Sequence, residues 1–224
     1  MSQRALAAEL VGTFMLMVSV LGAFATFGPA TPGASASLLG IAITVGFTAM
    51  TVGLAIGHIS GAHLNPAVTL GLIAGGRVPS GMAAAYIAAQ CIGAVAACGV
   101  YWLIGRAPVA FAANGFAELS PSRAGLLPVL VVELVLTAFL VFVVMGATSK
   151  RAPAGFAALA LGATLAAIHV LAIPISNASV NPARSLASAL FAGWPVLGQV
   201  WLFWVAPIVG GVIGGALARW VQEE

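Results

Sequence analysis

Two short stretches carry polar groups placed where they could act on something small. They read Ile59-Ser60-Gly61-Ala62-His63-Leu64-Asn65-Pro66-Ala67 and Ile175-Ser176-Asn177-Ala178-Ser179-Val180-Asn181-Pro182-Ala183. Six of the nine positions are identical, and the copies lie 116 residues apart in a chain of 224. Asn is a favoured helix N-cap and Pro is favoured at the first helical position, so Asn65 and Asn181 each read as the cap of a helix. A helix start carries roughly half a positive charge and a set of backbone donors. One such turn is an ordinary cap; two inside one template, both set in apolar surroundings, are a duplicated site. Three charged residues accompany them: Arg184 directly after the second motif, and Glu9 and Glu133 in apolar runs. A charge inside a membrane segment costs a few kcal/mol and marks function by default.

Composition sets the environment. Hydrophobic residues make up 62% and charged residues 6%, against roughly 25% charged in soluble domains. This is an integral membrane protein whose environment is a lipid bilayer. The net charge of +3 comes from scattered bases with no patch, which excludes nucleic acid as a partner. Three scattered histidines and no nucleophile–base set point to no metal, no cofactor and no enzyme. Cys91 and Cys98 are seven residues apart on one helical pattern. That is about 10 Å along the axis, too far for a mutual disulfide, so they read as small core residues.

The elements that position these groups follow from apolar length, about 20 residues per spanning helix. Six spans are expected, over 5–27, 38–58, 81–104, 128–148, 155–173 (closed by Pro174) and 198–220. Two segments are too short to cross. Each reads as a turn followed by a half-helix, the first from Pro66 to about Ile73 and the second within 175–191. The N-terminus imitates a cleaved signal, but Glu9 interrupts it and its removal would break the symmetry, so it reads as the first span. Glu9-Leu10-Val11-Gly12-Thr13 pairs with Glu133-Leu134-Val135-Leu136-Thr137. The fold class is therefore all-α: six transmembrane helices plus two re-entrant half-helices, in one channel domain spanning 1–224. Its halves run over about 1–104 and 128–224, joined by the loop 105–127. Three spans per half is odd, so the halves are inverted, a known way to build a membrane pathway. Arg4, Arg77, Lys150, Arg151 and Arg219 fall on one side, against Arg106 and Arg123 on the other. Five bases against two put both termini in the cytoplasm.

Two Asn-Pro-Ala loops, inverted three-span halves and an acid in spans one and four resemble the aquaporin (major intrinsic protein) family over essentially the whole chain. Gly57-His58-Ile59-Ser60-Gly61 and Ser179-Val180-Asn181-Pro182-Ala183-Arg184-Ser185 look like its water-selective bacterial branch. The resemblance implies a homotetramer in the plasma membrane (the inner membrane of a Gram-negative cell), each subunit with its own pore and water as permeant. Irregular backbone at membrane depth is tolerated only in protein or along water. The residues before each cap are thus expected to present carbonyls to the pore: Gly61, Ala62, His63 and Leu64 from one side, Asn177, Ala178, Ser179 and Val180 from the other. Asn65 and Asn181, in the motifs completed by Pro66, Ala67, Pro182 and Ala183, are expected to point N–H groups into the lumen. Glu9 and Glu133 are expected to hold the two loops through their backbone N–H groups.

The resemblance also implies a selectivity filter of Val45, His169, Ala178 and Arg184. His169 narrows the pore against polyols, and Ser185 stands where glycerol-conducting relatives usually carry Asp. Val45 departs from the family, because water channels usually have Phe there. Either the constriction is wider, admitting ammonia, hydrogen peroxide, urea or glycerol, or Phe47 or Phe24 fills the gap. His58 and His63 read as structural hydrogen-bonding residues, with a pH gate as the alternative. A secondary transporter is a more distant reading, since inverted repeats serve that class too, but no paired acidic coupling site accompanies the motifs.

Overall fold

The computed structural model describes residues 2–28, 37–105, 110 and 112–222. Among these residues the regular structure is helical, with no strand. The chain order is α1 Gln3–Phe27, α2 Ser37–Ser60, α3 Pro66–Ala74, α4 Ala83–Leu103, α5 Leu126–Ala147, α6 Ala157–Ser176, α7 Pro182–Ala192, α8 Val196–Gln199 and α9 Leu202–Gln222. Six segments are long and apolar enough to cross a bilayer: Gln3–Phe27, Leu38–Ser60, Ser80–Leu103, Leu126–Ala147, Ala157–Ser176 and Val196–Gln222. An even number of crossings returns both chain ends to one side, called here the terminal face. The helices α3 and α7 span nine and eleven residues, at 1.5 Å rise too short for a bilayer.

Two sequence boundaries shift. Pro174 does not close the fifth span; it lies inside α6, which runs on to Ser176. A proline removes one donor and one ladder bond, and here the Asn177 N–H still closes the last turn on the Ile173 carbonyl. The sixth span begins as the short α8, breaks at Val200-Trp201 and continues as α9, with Pro207 inside it. The 105–127 connection contains a 3-10 turn at Ala117–Leu119. Arg106, counted among the bases above, and the Ala34-Ser35-Ala36 stretch lie outside the described residues.

The packing interlocks the halves. Within each half the acid-bearing helix lies between its neighbours: α1 on α2 and α4, α5 on α6 and α9. Between halves, α2 packs on α6, α3 on α9 and α7 on α4. Each half-helix thus leans on the last span of the other half. Glycines permit this, as small residues do at membrane helix crossings. A Cβ on Gly211 or Gly215 would collide with the carbonyl oxygens of Ala67 and Gly71 in α3, and one on Gly210 or Gly214 with those of Leu134 and Ala138 in α5. Gly46 and Gly162 meet each other across the α2–α6 crossing.

Candidate functional site

Each motif folds as a short left-handed excursion that ends in a cap. In the first loop Gly61, Ala62 and Leu64 have φ of 85°, 47° and 54°; in the second, Asn177, Ala178 and Val180 have 63°, 50° and 44°. These are the same positions, 116 residues apart. For a non-glycine residue such a backbone costs on the order of 1–3 kcal/mol and must be held by its surroundings. The acids hold it. Glu9 Oε1 accepts from His63 N at 2.9 Å and Oε2 from Leu64 N at 2.8 Å. Glu133 Oε1 accepts from Ser179 N at 2.9 Å and Oε2 from Val180 N at 2.7 Å. Ser60 and Ser176 add a hydroxyl to the same carboxylates, at 2.7 and 2.6 Å. Both carboxylates are fully buried.

That arrangement turns carbonyls the other way. A trans peptide is planar, with N–H and C=O opposed. An N–H of His63 or Leu64 aimed at Glu9 therefore points the Ala62 and His63 carbonyls away from it. The same holds for Ala178 and Ser179 opposite Glu133. His63, Leu64, Ser179 and Val180 line a cavity between the loops. Three of the four remaining expected rungs, all but Gly61, are engaged within the protein. The Leu64 carbonyl accepts from Asn181 Nδ2 at 2.9 Å, the Val180 carbonyl from Asn65 Nδ2 at 2.6 Å, and the Asn177 carbonyl from Arg184 Nη2 at 3.1 Å.

The two asparagines cap their helices and clasp each other's loops. Asn65 Oδ1 accepts from Ala67 N at 2.8 Å, and Asn181 Oδ1 from Ala183 N at 3.1 Å and Arg184 N at 3.3 Å. Each amide has two N–H donors. One makes the cross-loop bond above, and both residues line the cavity. The cavity measures about 40 Å³, room for about three waters in a row at the ~10–15 Å³ that each requires. Its other walls are apolar, Leu16, Met17, Val20, Ala49, Ala94, Leu140 and Leu165, apart from Thr13, whose hydroxyl donates to the Glu9 carbonyl. Toward the terminal face it opens, past His63, Val68 and Leu161, into a vestibule of about 590 Å³ reached also by His58.

At the opposite end Val45, His169 and Arg184 line the cavity together. Ala178 is fully buried and is not among the lining residues. His169 Nδ1 lies 2.8 Å from the Leu165 carbonyl, which can only accept, so Nδ1 carries the hydrogen and Nε2 of the neutral ring is an acceptor. Arg184 donates through Nη1 to Asn114 Oδ1 and through Nη2 to Asn177 O, while its Nε donates to no group among the described residues. Phe47 does not fill the space beside Val45. It is 59% exposed, in an outward groove with Ile43 and Met50. Two residues along a helix turn a side chain by about 200°, so Val45 and Phe47 cannot share a face. Phe24 is buried in the apolar cluster that also holds Val45, but it does not line the cavity.

The sequence profile of the Major intrinsic protein family matches residues 1–218. The chain belongs to that family. Among curated relatives it is similar to Aquaporin Z of Bradyrhizobium diazoefficiens, 45% identical over 230 residues, covering 100% of this chain and 95% of that protein. Aquaporin Z of Rhodopseudomonas palustris is 47% identical over 223 residues, with 97% and 92% covered. Aquaporin Z of Photorhabdus laumondii is 46% identical over 228 residues, with 99% and 98% covered. Among solved structures, the X-ray structure of the aquaglyceroporin from Plasmodium falciparum superposes with a TM-score of 0.79, 22% identity, and 99% and 95% of the two chains covered. At that identity the likeness speaks for the fold alone.

Several supports of this major intrinsic protein site lie outside the motifs. Gln90 donates from Nε2 to Glu9 Oε2 at 2.8 Å and to Thr69 Oγ1 at 3.0 Å. Tyr86 donates its hydroxyl to the Ser60 carbonyl at 2.9 Å. His63 Nδ1 and Thr69 Oγ1 are 3.1 Å apart, and their counterparts Ser179 and Ser185 are 2.5 Å apart through their hydroxyls. Gln90 had a signal, as an amide in the middle of an apolar span. Asn114, in a connection rich in turn residues, had none. Cys91 and Cys98 are free thiols in α4 and line no part of the cavity.

Proposed function

We propose that this chain is a passive, gradient-driven water channel that excludes ions and protons. The observation that carries this reading is the narrow, apolar-walled cavity crossed at its centre by two asparagine amides, each at the start of a half-helix. A water there accepts from Asn65 and Asn181 together. Its lone pairs are then taken and it can only donate to its neighbours, so the hydrogen-bonded wire reverses and no proton is relayed. The two half-helix starts add roughly half a positive charge each at the same point, a barrier to cations of the kind such pores use. On either side the carbonyls of Ala62, His63, Ala178 and Ser179 offer acceptors in sequence. The apolar walls give few bonds to break as water slides.

In this reading Val45, His169 and Arg184 form the filter, with the Arg184 donors and the His169 Nε2 acceptor serving the same water from two sides. Ala178 contributes backbone rather than side chain. The chain is a single channel domain, set in the plasma membrane with the terminal face in the cytoplasm. The excess of Lys and Arg on that face supports the orientation. Exposed tryptophans near both ends of the spans, Trp102, Trp194 and Trp201 away from the termini and Trp220 beside them, fit two interfacial belts. A homotetramer is the assembly that the family resemblance supports.

The test is stopped-flow light scattering on proteoliposomes. Water flux should be fast with a low activation energy, and glycerol and urea uptake should match empty vesicles. Slow water flux would overturn the reading. Fast solute entry would mean that the smaller Val45 opens the filter, and the chain would be a broader small-solute channel.

A further inference from the structure

We infer that Asn114, in the connection between the two halves, is the positioning residue that fixes Arg184 in the filter and so sets solute exclusion. The inference rests on the filter reading of Arg184 given above.

Arg184 is buried, and among the described residues both acceptors of its guanidinium are neutral: the Asn114 side chain and the Asn177 carbonyl. Both lead back to the connection. Asn177 donates from Nδ2 to the Ala113 carbonyl at 2.9 Å. Asn114 donates from its own Nδ2 to the Ser176 carbonyl at 3.0 Å. The orientation of the Asn114 amide is settled by its partners, with a carbonyl on one side and two donors on the other. Those donors are Arg184 Nη1 and the Ser185 hydroxyl, the latter at 2.7 Å.

A directional chain ends at the same oxygen. Ser185 gives its hydrogen to Asn114, so the Ser179 hydroxyl donates to Ser185 at 2.5 Å in preference to the Asn181 carbonyl at 3.4 Å. Ser179 in turn accepts from Asn181 N at 3.3 Å. The backbone of the central asparagine of the second motif and the filter arginine are therefore linked through Asn114 Oδ1. Among the described residues no other group accepts from Nη1. Without that oxygen the guanidinium keeps only the Asn177 carbonyl and can swing on its long stem, widening the passage beside His169.

The test compares three variants of the full chain in proteoliposomes, reading the ratio of urea to water permeability, which does not depend on how much folded channel is present. Arg184→Val should raise that ratio by about tenfold or more, equivalent to about 1.4 kcal/mol of barrier. Asn114→Ala should do the same. Asn114→Asp keeps an oxygen for Arg184 and Ser185 but turns a second oxygen, in place of the donor, toward the Ser176 carbonyl, and it should still retain wild-type exclusion. If the alanine variant does not assemble, Asn114→Leu keeps the branched shape and should leak in its place. An unchanged ratio in Arg184→Val would overturn the filter reading itself. A leak in Arg184→Val with none in Asn114→Ala would overturn the positioning role alone. Equal leaks from Asn114→Ala and Asn114→Asp would overturn it too, because the Nδ2 bond that docks the connection would then account for both.

Discussion

The two ends of the cavity are copies of one another, and they differ where it matters. Moving 116 residues along the chain carries Val45 to Leu161, Ala49 to Leu165, Gly53 to His169, Ala62 to Ala178 and Val68 to Arg184. The partners of the four filter positions thus surround the opposite mouth: Gly53, Ala62, Val68 and Leu161 all line the vestibule. One end carries an imidazole and a guanidinium; the other carries a glycine and a valine at the same places and opens to about 590 Å³. Duplication supplies the frame, including both loop conformations and both caps. In the proposed reading, selectivity lies in two departures from the symmetry, at one end only. A single polar constriction suffices for a passive pore, and a second would add a barrier without adding discrimination.

Breaking what the halves share should have the largest effect. Glu9→Gln places an NH₂ where backbone donors converge. At either oxygen it faces a loop N–H, and a second donor as well, Ser60 on one side or Gln90 on the other. Glu133→Gln is the milder change, since among the described residues Val180 N alone donates to its Oε2. Bonds to a charged acceptor contribute about 1.5–3 kcal/mol each. We therefore expect Glu9→Gln to lower the unfolding free energy in detergent by about 3 kcal/mol or more and to stop water conduction, with Glu133→Gln losing less. Equal stability of both variants and wild type would show that the left-handed loops hold themselves.

Removing what separates the halves comes next. His169→Gly gives the filter end the residue found at the vestibule end. Loss of the ring removes a steric wall and the Nε2 acceptor opposite Arg184. Glycerol and urea permeability should rise on the order of tenfold for each 1.4 kcal/mol of barrier removed, while water flux stays at or above wild type. Unchanged glycerol exclusion, by the same light-scattering assay, would place the constriction elsewhere and break the comparison between the two ends.

These contrasts show which parts of the site were legible in the sequence. Asn65, Asn181, Glu9, Glu133 and Arg184 stand out because polar groups in apolar segments need a reason to be there, and the 116-residue offset pairs the loops before any coordinate is known. The helical phase also separates Val45 from Phe47, so the outward position of Phe47 was available from the sequence. Pro174 misled, because a proline near a helix end removes one donor without ending the helix when neighbours keep their bonds. Asn114 was not legible at all. Its role comes from where the 112–124 segment folds back, tied by the Ser120 hydroxyl to the Ile175 carbonyl at 2.7 Å, and a turn-rich sequence does not announce a tertiary partner.

The smallest effect should come from the support that differs between the halves. The glycine that meets the acid-bearing helix is Gly93 in α4, against the Leu10 carbonyl, and Gly210 in α9, against the Leu134 carbonyl. Three residues before each stand Gln90 and Pro207. Proline cannot donate, so the second half has no helix-borne amide at that place, and the amide bonded to its Ser185 comes from the connection as Asn114. Gln90 and Asn114 thus do parallel work, each bonding the hydroxyl at position 69 or 185, but only Asn114 also touches a filter side chain. Gln90→Leu keeps the shape and removes two donated bonds, together with an oxygen that has no recorded partner. The net loss should be about 1–2 kcal/mol of stability, read as a lower unfolding midpoint, with the urea-to-water ratio unchanged. A leak in Gln90→Leu would mean that the vestibule side also discriminates between solutes, and the asymmetry between the two ends would then lie in degree rather than in kind.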